Sequence, residues 1–117
     1  MSREVRGSGP WTAPLLFVGE GPGRTEEAKG APFQGMTGKF VRSTLHRAGM
    51  EPENVRFNNV LPVRCWVPPD WDGRRRLLEK WKDNIETDLV RCTDAKVIVA
   101  CGALAWQKLS DWFGLTT

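Results

Sequence analysis

Three short apolar runs punctuate the chain at wide intervals, and each leads into a segment rich in glycine or asparagine. Leu15-Leu16-Phe17-Val18 is unbroken and stops at a Gly/Pro turn, the pattern of a strand buried on both faces. Val55-Arg56-Phe57-Asn58-Asn59-Val60-Leu61-Pro62-Val63 carries β-branched and aromatic residues, and Lys96-Val97-Ile98-Val99-Ala100-Cys101-Gly102 repeats the design of the first run, so both predict strands. Between the first two, residues 38 to 50 place Phe40, Val41, Leu45 and Ala48 at helical spacing ahead of Gly49, which fits a C-cap position. Between the second and third, Leu77, Leu78, Trp81, Ile85, Leu89 and Val90 follow a 3.6-residue period and predict one long helix over residues 74 to 92. A last helix over residues 103 to 113 places Leu104, Ala105, Leu109 and Trp112 on one side. Strands alternating with helices imply α/β architecture with right-handed crossovers. The expected fold is a small three-layer sandwich around a parallel three-stranded sheet of order 2-1-3. In such sheets ligands bind at the carboxyl ends of the strands.

Composition narrows this picture. A chain of 117 residues makes one domain, expected over residues 14–117. Residues 1–13, rich in Gly, Ser, Pro and Arg and without periodicity, read as a flexible lead-in. No apolar run approaches the roughly 18 residues that span a bilayer, and the basic N-terminus has no apolar stretch behind it. No membrane association is expected, and the cytoplasm, or the interior of a host cell, is the expected location. A net charge of +3 suits a nucleic-acid binder without requiring one. Cys65, Cys92 and Cys101 are odd in number and lack CxxC or Cys/His spacing, so neither a metal site nor a disulfide framework is expected. Cys101, at the end of an apolar run, reads as a small core residue. With one histidine and no tyrosine, any general base is a carboxylate unless His46 serves.

Two polar segments carry candidate chemistry. In Gly19-Glu20-Gly21-Pro22-Gly23-Arg24 the glycines let backbone approach a ligand while Glu20 stands at the sheet edge; the same residues also suit a tight turn with a solvated glutamate. The phosphate-loop and dinucleotide-binding spacings are both absent. In the glycine-rich stretch from Gly30 to Lys39, Phe33 is either a core anchor or an aromatic that stacks on a base. Arg74-Arg75-Arg76 beside Trp71 either grips phosphates or forms a solvated helix start. Arg24, Lys39 and Arg42 fall nearer the expected site, with Lys39 close to a helix N-terminus.

The order of these segments resembles the uracil-DNA glycosylase superfamily, most closely the branch that normally carries an iron–sulfur cluster. The likeness runs from about Leu15 to Leu109, through GEGPG, GAPFQGMTGK, a helix ending Ala48-Gly49-Met50, FNNV at residues 57 to 60, and KVIVACGALA at residues 96 to 105. It implies that Glu20 is the acid that positions water or stabilises an oxocarbenium-like sugar. Phe33 then stacks on a flipped uracil, and Asn59 reads the uracil edge. Gly19, Gly21, Pro22 and Gly23 close on the pocket, with backbone N–H groups around Gly21 directed at uracil O2. Arg24, Lys39, Arg42, Arg74 and Arg75 become the DNA-backbone candidates. An amide that donates to O4 and accepts from N3–H rejects cytosine.

Two departures qualify the likeness. The cluster cysteines are missing: no N-terminal CxxC, none near Trp81, and Cys65 out of register. No iron–sulfur cluster or other cofactor is therefore expected, and Trp66, Trp71 and Trp81 are expected to fill the space by packing. The family's last strand and histidine loop, the source of the histidine on O2 and of a side chain that wedges into the DNA stack, have no counterpart up to Thr117. His46 lies in the first long helix and reads as a surface or structural residue. The chain is accordingly expected either to excise uracil or to bind uracil-containing DNA, single- or double-stranded, without cleaving it, as a viral or mobile-element protein would. A sheet lacking a fourth strand leaves an open edge, through which a homodimer is expected.

Overall fold

A computed structural model describes residues 3–115. It contains β1 (Leu15–Gly19), α1 (Arg24–Lys29), α2 (Met36–Arg47), a short 3-10 turn (Pro52–Asn54), β2 (Arg56–Asn59), α3 (Trp71–Lys80), α4 (Lys82–Arg91), β3 (Val97–Ala100) and α5 (Ala103–Phe113). The strands form a parallel sheet of order β2-β1-β3. Side chains alternate across it, which yields three layers. Leu16 and Val18 of β1 pack with Leu78, Ile85, Leu104, Ala105 and Leu109 from α3, α4 and α5. Leu15 and Phe17 point the other way, to Phe33, Val41, Leu45 and Phe57 beneath α2. The α/β class, the strand order and the layering are those expected.

The register carries the site. Gly19 lies opposite Asn59, at the carboxyl ends of two neighbouring strands. The ladder continues past β2 through Val60 N–H to Gly19 O and Leu61 N–H to Glu20 O, both 2.9 Å. It ends at Pro62, which has no N–H to give. The second strand is therefore shorter than the expected span of residues 55 to 63.

Other elements differ more. The long helix expected over residues 74 to 92 is two helices that meet at Trp81, whose backbone leaves the helical region at φ −110 and ψ 19. The break lets α3 and α4 each turn an apolar stripe to the same core while keeping an almost unbroken period in sequence. Asp70 starts α3 by accepting from the Gly73 N–H at 2.7 Å, a side-chain N-cap. Helix α1 had no apolar stripe to announce it, since none of its residues is buried. Trp66 and Trp71 stand largely exposed instead of filling core space, and Trp112 is also exposed; among these expected packers only Trp81 lies against the core. Phe40, placed with the apolar stripe of its helix from sequence, faces solvent, and Val41 and Leu45 make the core contact.

The segment read as a lead-in makes specific contacts from Arg3 onward. Val5 is buried and donates its N–H to Pro62 O at 2.7 Å, and Ser8 forms an antiparallel bridge with Phe57. The Trp11 ring lies between the guanidinium groups of Arg56 and Arg91, 3.7 and 3.9 Å from its centroid. Beneath it, Arg56 donates to Asp88 at 2.9 Å with both side chains nearly sealed from solvent. Asn58 donates to the same carboxylate at 3.0 Å. These partners explain how polar Arg56 and Asn58 sit buried in a strand. Among the described residues, no helix is long and apolar enough to cross a membrane.

Candidate functional site

At the carboxyl ends of β1 and β2 lies a cavity of about 320 Å³, lined by Gly19, Glu20, Gly21, Glu26, Phe33, Gly35, Met36, Thr37, Gly38, Asn59 and Cys101. Its size falls at the small end of ligand pockets, roughly 300–1,000 Å³. Five residues expected at the site, Gly19, Glu20, Gly21, Phe33 and Asn59, line it together. Pro22 and Gly23 continue the turn just outside the wall: Pro22 is buried, and Gly23 is the N-cap of α1.

Asn59 is buried at 4% exposure, and its backbone is held on both sides. Its N–H donates to Asn58 Oδ1 at 2.8 Å, and its carbonyl accepts from the Asn84 amide at 2.6 Å. The side-chain amide is left to the cavity. Gly19 opposite must be glycine, because a Cβ there would collide with Asn59 Oδ1 and press on the Phe33 ring.

Phe33 forms another wall. Its ring meets Phe17 edge-on at 6.2 Å and Phe57 tilted at 5.2 Å. Its backbone is left-handed, with φ 57, a conformation that costs a bulky residue of order 1–3 kcal/mol and tends to persist at functional sites. Arg42 holds it there, donating to Phe33 O at 3.0 Å and Pro32 O at 3.3 Å with its guanidinium 4.4 Å from the Phe57 ring centroid. Arg42 thus spends its donors on the loop. Arg24 and Lys39 are exposed, at the start of α1 and on α2. Arg74 donates to Pro68 O at 3.0 Å and Arg75 pairs with Asp72 at 3.8 Å. Both belong to α3, on the opposite face of the sheet from α2, and the structure does not gather them at the cavity.

Glu20 reaches the N-terminus of α5, where it accepts from the Leu104 N–H at 3.3 Å. The positive end of a helix favours a carboxylate. Gly102, at φ 105, makes room for it, since a Cβ at that position would overlap the Glu20 carboxylate. Glu20 is therefore fixed at the cavity wall as an acceptor with one oxygen committed.

Glu26 escaped the sequence reading. Its carboxylate accepts from the N–H groups of Gly23 (2.9 Å), Gln34 (2.9 Å) and Gly35 (2.6 Å), tying the GEGPG turn to the Phe33 loop. Burial pushes its pKa up, but the hydrogen bonds from Gly35, Gln34 and Gly23 outweigh burial and hold it below the usual carboxylate range. The available signal was a glutamate three residues after the N-cap Gly23, half of a capping-box pattern.

Cys101 lines the cavity half-buried, with its thiol pushed up by burial into a neutral wall. Cys92 is buried at the end of α4 and Cys65 is exposed after β2. An iron–sulfur cluster takes four cysteine thiolates, or two with two histidines; this chain has three cysteines and one histidine, spread over separate elements. No group of three or more His, Cys, Asp or Glu able to hold a metal occurs among the described residues. The residues present do not fit such a cluster. His46 is exposed near the end of α2, 3.5 Å from Glu51 and away from the cavity lining.

Comparison with known proteins agrees with the order of motifs. The model of the Uracil DNA glycosylase superfamily matches residues 6–116. The chain is 37% identical over 111 residues to a Type-4 uracil-DNA glycosylase of Archaeoglobus fulgidus, covering 95% of this chain and 54% of that protein. It is 35% identical over 110 residues to a Type-4 uracil-DNA glycosylase of Pyrobaculum aerophilum, covering 94% and 55%. A Type-4 uracil-DNA glycosylase of Thermotoga maritima is 39% identical over 64 residues, or 55% of this chain and 32% of that protein. In its fullest matches the chain spans about half the length of these curated relatives.

Proposed function

Since the chain belongs to the uracil DNA glycosylase superfamily, we propose that it takes uracil from DNA into the cavity between Phe33 and Asn59 and hydrolyses the N-glycosidic bond. The observation that carries this reading is the convergence of Glu20, Phe33 and Asn59 on one cavity from three separate parts of the chain. The base swings out of the stack. The Phe33 ring meets its π-face, and the otherwise uncommitted Asn59 amide donates to O4 and accepts from N3–H. Water adds its oxygen to C1′ as the C1′–N1 bond breaks. The bonding pair leaves with uracil, the water proton balances it, and Glu20 stabilises the positive charge that builds on the sugar. Arg24 and Lys39, exposed near the cavity, take flanking phosphates.

The test uses single- and double-stranded oligonucleotides with one uracil, scored for retention and for scission after alkali. Glu20→Gln lowers scission by about a hundredfold or more while retention changes far less, and Asn59→Ala removes the preference for uracil over thymine. Wild type that neither retains nor cleaves uracil DNA ends the proposal.

One observation favours a second reading, binding without cleavage. Among the described residues the one histidine, His46, stands at the far end of α2, and no imidazole lines the cavity to bond the departing uracil at O2. Stable uracil-dependent retention without free uracil marks that outcome. Self-association through the outer edge of β3, which among the described residues pairs with β1 alone, extends the proposal; sedimentation over a concentration series tests it.

A further inference from the structure

Helix α2 presents two large apolar side chains to solvent beside the cavity. Met36 is 90% exposed and Phe40 67% exposed, and their i, i+4 spacing stacks them on one face of the helix. Met36 also contributes to the cavity wall. Neither residue serves the core, which α2 reaches through Val41 and Leu45. Single exposed apolar residues are ordinary; a pair on one helix face, the first of which lines a ligand cavity, is not. The helix that carries the pair has no acidic residue, and its cations are Lys39, Arg42 and Arg47. Lys39 and Arg47 are exposed. Such a face suits a polyanion with an apolar interior.

We propose that Met36 and Phe40 form an apolar wedge that enters the DNA base stack where the nucleotide has swung out into the cavity. The inference rests on the uracil-DNA reading above and adds the surface that makes duplex DNA a substrate. Extruding a nucleotide leaves a base-sized gap between two unstacked neighbours. Methionine and phenylalanine are among the side chains that fill such gaps, offsetting the cost of unstacking and kinking the duplex. Position supports the role. Gly35, the residue before Met36, donates its N–H to Glu26 at 2.6 Å, which fixes the start of α2 against the GEGPG turn. The wedge and the cavity are thereby held in one frame. Lys39, next to Phe40, lies where it can meet the phosphate beside the gap.

The test compares wild type with the double variant Met36→Ala/Phe40→Ala on single-stranded and duplex oligonucleotides carrying one uracil beside 2-aminopurine. Fluorescence anisotropy reads affinity, and 2-aminopurine emission reads unstacking. The expected result is a fall of about tenfold in duplex affinity relative to single-strand affinity, with loss of the duplex 2-aminopurine signal. An unchanged ratio with the emission intact overturns the wedge. Equal losses on both substrates also overturn it, because they would reflect only the cavity wall that Met36 shares. Phe40→Ala alone, at a position outside that wall, repeats the test with the cavity intact, and it must lower the same ratio. Wild type that retains neither substrate removes the proposed function and the wedge with it. Wild type that retains both, with variants that match it, removes the wedge only.

Discussion

Glu26 joins two segments that meet only in the folded chain, through three backbone N–H groups that donate to its carboxylate. Its folded pKa lies below the ordinary value, so its contribution to stability is complete above the ordinary carboxylate range and is lost as pH falls through the depressed folded value. Glu26→Gln should cost about 1–3 kcal/mol at neutral pH, and the denaturation midpoints of variant and wild type should converge in acid. Gly19→Ala tests the floor of the cavity: the added Cβ must displace Asn59 or Phe33. A loss of about 1–3 kcal/mol together with loss of uracil retention is expected, and a variant with wild-type retention would show that the floor yields. Arg42 was grouped from sequence with the phosphate contacts, yet it donates to the Phe33 loop. Arg42→Ala should therefore lower thermal stability and uracil affinity without changing the salt dependence of binding. That Glu20, Phe33 and Asn59 would meet at one cavity was readable because motif order supplied their context. The backbone partners of Glu26 and Arg42 were not, because a side chain's choice among distant backbone groups leaves no periodic trace.

At the scale of elements, the strands were readable, whereas helix α1 and the division of α3 from α4 were not. β1 and β3 are unbroken apolar runs and β2 is a run with three buried polar positions, Arg56, Asn58 and Asn59; helices over both faces of a parallel sheet write themselves into composition in this way, although β3, at the edge, keeps Val97 exposed. The α3–α4 break at Trp81 leaves the apolar period nearly intact, so spacing alone cannot separate one helix from two. What places α4 is the buried Arg56–Asp88 pair, with Asn58 on the same carboxylate. Removing one partner strands the other's charge in the interior. Asp88→Ala should cost about 3–5 kcal/mol by that argument, read as a lowered denaturant midpoint. A cost near zero would mean that water reaches Arg56 and that the N-terminal segment over it opens readily. That segment, residues 3 to 13, looked unstructured because it has no periodicity of its own. Its order comes from β2 and α4, through Val5, Ser8 and Trp11.

Over the whole molecule, a net charge of +3 is too small to mark a DNA-binding face; what matters is where the cations remain available. Arg42 and Arg74 donate to backbone carbonyls and Arg75 pairs with Asp72, which leaves Arg24 and Lys39 exposed on the side of the cavity. Two phosphate contacts predict that log affinity for uracil duplex falls against log salt with a slope of about −2, and Lys39→Ala should reduce its magnitude by about 1. A slope unchanged by Lys39→Ala would move the phosphate track elsewhere. By itself the sequence determined the alternation of strands and helices, the parallel sheet, and the turn at whose end the cavity opens. Those features depend on burial within short windows, which hydrophobic pattern records. Only the tertiary structure decided which cations are spent internally, that Glu26 ties the two glycine-rich segments together, and that Met36 and Phe40 stand bare at the rim. Each of these depends on which distant segments come within hydrogen-bonding or packing distance, a relation between parts of the chain that no local window contains.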